Sequence, residues 1–140
     1  MKKLIVFYVF FISLNGCALY ESYNMARFDN IEYALINKVH SLTEIALSQC
    51  ENKNRLNITW KHIYNKTMEF ENYTQYIPNN QEAFKLATNI TKLSKQTNDF
   101  YDKNNKVSTV YCKAKFKQIL NSSIKIQQVI GKKPRWKFKR

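Results

Sequence analysis

Apolar residues recur at steps of three and four in four separate stretches of this chain, and no other feature restricts its fold so strongly. The first set is Phe28, Ile31, Leu35, Val39, Leu42, Ala46 and Cys50, and the second is Leu56, Trp60, Ile63, Thr67, Phe70, Thr74 and Ile77. The third is Ala83, Leu86, Ile90, Leu93, Thr97 and Phe100, and the fourth is Cys112, Phe116, Ile119, Ser123, Ile126 and Ile130. That period places each set on one face of a helix. Helices are therefore predicted over 26–50 and 56–77, from the "IPNN" break to "DKNN", and up to Gly131. Pro78 ends the second, Asn79 or Asn80 can cap the third, and Gly131 stands where a C-terminal cap would be. The β-branched "VSTV" blurs the start of the fourth. Beyond residue 16 there is one glycine, Gly131, and there are two prolines, Pro78 and Pro134. A turn-rich β fold needs many more of both, which leaves an all-α fold.

The chain opens "MKKLIVFYVFFISLNGC". Lys2 and Lys3 make a positive start, and Leu4 to Ser13 has nine apolar residues in ten. The run is shorter than the roughly 20 residues a membrane span requires. It has the form of a secretory signal with its apolar h-region. The stretch Leu14, Asn15, Gly16, Cys17 resembles the lipobox of bacterial lipoproteins, with Leu14, Gly16 and Cys17 in place and Asn15 departing from the usual small residue. The resemblance covers the first 17 residues. It implies cleavage before Cys17, acylation of its thiol and anchorage in membrane lipid. In a Gram-negative cell, Ala18 would direct the product to the outer membrane, facing the periplasm. Residues 1–16 then form a signal peptide, 17–25 a lipidated cysteine and tether, 26–131 the helical domain and 132–140 a basic tail.

If lipid occupies Cys17, the remaining thiols are Cys50 and Cys112, and an exported chain with one such pair most simply forms a disulfide. Four stripes with short polar connections suggest a single up-down-up-down four-helix bundle. In that topology the end of the first helix meets the start of the fourth, which is where Cys50 and Cys112 stand. The start of the first helix and the end of the fourth share the opposite pole. Anchor and tail are thus expected on the same side.

The charge is unevenly placed. Residues 103–140 hold 12 Lys and Arg and no acid, whereas residues 17–102 hold nine basic and ten acidic side chains. In the tail, Lys132, Lys133, Arg135, Lys137, Lys139 and Arg140 surround Trp136 and Phe138. This pattern suits contact with anionic lipid head groups, Trp136 lying at the interface. A solvated terminus without a role is the plain alternative. Lys103, Lys106, Lys113 and Lys117 are expected along one face of the fourth helix. They either keep it solvated or offer a basic surface to an acidic protein, lipopolysaccharide phosphate or nucleic acid.

Little in the sequence suggests catalysis. His40 and His62 lack cysteine or carboxylate neighbours at metal-ligand spacing. One glycine after residue 16 leaves no phosphate loop. Glu44 and Glu69 could pair across helices. No catalytic residue, metal or cofactor is assigned. The expected function is that of a lipid-anchored, envelope-facing binding or structural protein of a bacterium or its phage, masking a receptor or assisting lysis. Sequons at Asn57, Asn65, Asn72, Asn89 and Asn121 keep open a secreted effector or glycoprotein. A nucleic-acid-binding module fits an exported chain least.

Overall fold

The computed structural model describes residues 26–51, 56–104 and 107–135. Helix α1 spans Asn30–Ser48 and runs into a 3-10 turn at Gln49–Glu51; α2 spans Leu56–Gln75, α3 Gln81–Lys103 and α4 Thr109–Gly131. Helix α1 packs against α2 and α4, and α3 packs against the same two. That ring of neighbours is the up-down-up-down bundle.

Local chemistry sets the boundaries. The Asp29 carboxylate accepts from the backbone N–H groups of Ile31 and Glu32, both at 2.8 Å, so α1 begins at Asn30 and not at Ala26. Ser108 does the same for α4 by accepting from Tyr111 N–H at 3.2 Å. Between α2 and α3, Asn79 takes φ of 58°, a left-handed conformation that asparagine tolerates. Asn80 stands at the cap of α3, but its side chain makes no cap bond and turns inward. Gly131 is the last residue of α4 and has no positive φ; Lys132 follows as the cap.

The core departs from the stripes at informative places. The fourth stripe is buried throughout, and the second is buried from Leu56 to Thr74. On α1 the buried face runs through Glu32, Ile36, Val39, Thr43 and Ala46, so Ile31 is 57% exposed and Leu35 and Leu42 flank the core. On α3 the core takes Ala87, Ser94 and Tyr101, while Phe100 is exposed and Leu86 and Leu93 lie at its margin. Three small polar side chains sit inside α1 and α3 with their hydroxyls satisfied within their own helices, and Thr91 is satisfied across the bundle by donating to Thr67 O at 2.9 Å. Thr43 donates to Val39 O at 2.7 Å, Ser94 to Ile90 O at 2.8 Å and Thr97 to Leu93 O at 2.8 Å. Thr97 falls in the third stripe, whereas Thr43 and Ser94 lie off the stripes because apolar spacing alone does not mark a polar residue that needs no outside partner.

The centre of the core is aromatic. Trp60 of α2 crosses the bundle to stack on Phe116 of α4, ring centroids 3.8 Å apart, and meets Tyr101 of α3 at 5.2 Å. Nearby, Cys50 and Cys112 are joined as a disulfide with Cα atoms 5.8 Å apart, both about 1% exposed. It ties the turn after α1 to the start of α4.

Candidate functional site

At the opposite pole, the chain enters the bundle and leaves it side by side. Phe28 N–H donates to Pro134 O at 3.0 Å, and Ala26 N–H donates to Asn79 O at 3.2 Å. The guanidinium of Arg135 lies 4.5 Å from the centre of the Phe28 ring, within cation–π range.

Beneath these contacts lies a closed polar cluster. Lys133 Nζ donates to Glu32 Oε2 and to Asn80 Oδ1, each at 2.5 Å, and Asn80 Nδ2 donates to Glu32 Oε1 at 2.7 Å. All three residues are buried. Each comes from a different part of the chain: the first turn of α1, the α2–α3 connection and the residue after the α4 cap. Both Glu32 oxygens are engaged, as the desolvation cost of a buried charge demands. Asp29 extends the network, accepting from Tyr73 Oη at 3.1 and 3.2 Å besides capping α1. Burial and that carboxylate raise the Tyr73 pKa above its ordinary value. The cluster has no access for a substrate, so its acid and base groups serve to hold three segments together.

Lys133 is thus a correction to the expected surface set: its ammonium is internal, bonded to Glu32 and Asn80. Lys132 and Arg135 are exposed. Cys17, Trp136, Lys137, Lys139 and Arg140 lie outside the described residues, as does Lys106. Lys103 belongs to the last turn of α3, not to α4, and Lys113 is paired with Glu51 at 2.9 Å. The Lys113 ammonium holds the Glu51 carboxyl below its usual pKa. Glu44 and Glu69 pair within their own helices, with His40 at 3.5 Å and with Lys66, rather than across the bundle. Glu32 carries no expected role in the sequence, and Asn80 is expected there only as a cap, whereas its side chain turns inward to Glu32. A usable signal existed for Glu32, which falls in step with Ile36, Val39, Thr43 and Ala46.

One grouping imitates a catalytic relay. His40 Nδ1 is 3.1 Å from Ser123 Oγ, and His40 Nε2 is 3.5 Å from Glu44. Ser123 is fully buried and donates its hydroxyl to Leu120 O at 2.7 Å. The His40 contact is then made with the ring N–H donating to Oγ, so Nδ1 is not free to take the serine proton. A buried serine bonded in this way is no nucleophile.

An open, mainly apolar groove of about 610 Å³ runs between α1 and α2, lined by Ile31, Leu35, Met68 and Tyr73 with Asn65, Glu69 and Asn72 at its edges. Among the described residues no group of three or more His, Cys, Asp and Glu could hold a metal, and no helix is long and apolar enough to cross a membrane. Comparisons with protein-family models, curated proteins and solved structures found no match.

Proposed function

We propose that this chain is exported, acylated on Cys17 and held at a bacterial envelope membrane, where it works by binding and not by catalysis. The observation that carries the reading is the N-terminal pattern: two lysines, nine apolar residues in ten, then Leu14, Gly16 and Cys17. The Cys50–Cys112 bond supports it in two ways. It suits an oxidising compartment, and it leaves Cys17 as the cysteine available for lipid. The pairing of Phe28 with Pro134 supports a membrane-proximal pole that carries both the tether and the tail. Two or three acyl chains anchor a protein stably, at about 0.8 kcal/mol per buried methylene. Receptor masking or assistance in lysis, in a phage-encoded protein, are roles of this layout.

Intact-mass analysis and palmitate labelling of wild type and Cys17→Ser in a Gram-negative host test the reading. Expected is a wild-type chain cut before residue 17 and carrying lipid, with neither event in the variant. An unlabelled wild type cut elsewhere removes the anchor. A second reading, a secreted glycoprotein, draws on the exposure of Asn65, Asn72, Asn89 and Asn121 on helix surfaces. Expression in a eukaryotic secretory host, with mass analysis before and after glycosidase, decides that one.

A further inference from the structure

We propose that the outward face of α4 is a docking surface for the phosphate head groups of an anionic phospholipid bilayer, so that the anchored bundle lies on its side along the membrane. For the identity of the surface, this rests on the export-and-anchor reading; the surface itself is read from α4. Lys117, Lys125 and Lys132 are exposed and spaced eight and seven residues apart, so they fall in one row along the helix. At 1.5 Å per residue the row is about 22 Å long. No acid occurs in α4 or its exit. Among the described residues none of the three enters an ion pair, whereas Lys113 and Lys133 are paired with Glu51 and Glu32. Helix α3 differs: it mixes Lys85, Lys92 and Lys95 with Glu82, Asp99 and Asp102.

The same face of α4 carries apolar side chains that the bundle leaves uncovered. Val110 is 79% exposed and Ile124 37% exposed. Lysines interleaved with aliphatic residues are what a helix lying in the head-group plane presents. Nucleic acid is the other polyanion to weigh, but the row contains no aromatic ring for bases to stack on and carries aliphatic side chains in its place. Position favours the bilayer as well. The row ends at the pole where Phe28 and Pro134 meet, and residues 18–25 of the tether, extended, reach about 26 Å. That span lets α4 rotate down onto the surface while Cys17 stays in it.

The test is lysine acetylation of the full chain, read by mass spectrometry, on phosphatidylglycerol vesicles and on phosphatidylcholine vesicles. Each basic residue near an anionic surface is worth about 1 kcal/mol, or about a fivefold population change. Reaction at Lys117, Lys125 and Lys132 should therefore slow by about fivefold or more on the anionic vesicles, and molar salt should abolish the protection. Lys92 and Lys95 on α3 should react alike on both. Equal rates at the α4 lysines on the two vesicle types overturn the proposal. So does protection by duplex DNA without protection by vesicles. The same measurement on Cys17→Ser separates the two readings. Protection retained without acylation upholds the surface when the anchor fails, and an acylated wild type without protection overturns the surface and leaves the anchor.

Discussion

Lys133 is surrounded by its partners to the point that removing it strands a carboxylate. Breaking one side of a buried pair costs about 3–5 kcal/mol, whereas replacing both sides with apolar groups of similar size is often near neutral. Lys133→Met should therefore lower the unfolding free energy by about that much, measured by urea denaturation, and Glu32→Leu added to it should recover most of the loss. Tyr101 makes the opposite case. Its hydroxyl is buried beside the Trp60 indole N–H, yet among the described residues neither group makes a well-formed hydrogen bond, so Tyr101→Phe should leave stability unchanged or raise it by about 1 kcal/mol. The variant also bears on alkaline pH. Burial raises the pKa of Tyr101 and of Tyr111, and burial with the Asp29 bond raises that of Tyr73. A raised phenol favours the neutral ring in the fold. The stability it contributes is present below the ordinary value of 10.0 and lost as pH rises through the folded values. Urea midpoints should fall as pH rises above 10.0, and Tyr101→Phe should reduce that fall.

Among the elements, α2 and α4 were legible from spacing because their buried faces are mostly apolar. Thr67 and Ser123 on those faces bond within their own helices, and Thr74 is the one hydroxyl left without a partner among their described residues. Helix α1 was legible as a helix but not in its rotation. Glu32 occupies a core position that only residues 48 and 101 places further along the chain, Asn80 and Lys133, make tenable. No local pattern contains those partners. For α3, Ala87 and Ser94 won the core over Leu86 and Leu93 because small side chains let neighbouring helices approach, which volume decides and hydropathy does not. Of the candidate site, the shared pole and the basic exit were readable, while the burial of Lys133 was not. Two elements can be probed directly. Trp60→Ala removes the ring that joins α2, α3 and α4 and should cost about 3–5 kcal/mol in urea denaturation. Asp29→Ala removes the α1 cap at a cost of about 1 kcal/mol. It should also return the Tyr73 titration, followed by ultraviolet absorbance, toward its ordinary pKa.

Over the whole molecule, the disulfide and the Phe28–Pro134 contact close the first helix against the last at both poles. Cys50 and Cys112 are 62 positions apart, and a loop of that size gives about 4 kcal/mol in the chain-entropy account. Cys50→Ser with Cys112→Ser should lower the unfolding free energy by about that amount, and reductant should have no effect on the doubly substituted protein. The arrangement also decides how the protein bears mechanical load. Tension applied where the chain enters at Ala26 and leaves at Arg135 would first separate Phe28 from Pro134 and then peel α1 from α4, one turn at a time. The peeling stops at the sulfur bridge. Everything between Cys50 and Cys112, including all of α2 and α3, is shielded from the pull, so extension is limited to the two outer helices. A single-molecule trace of the oxidised protein should end at that contour length, and adding a reductant should release the rest.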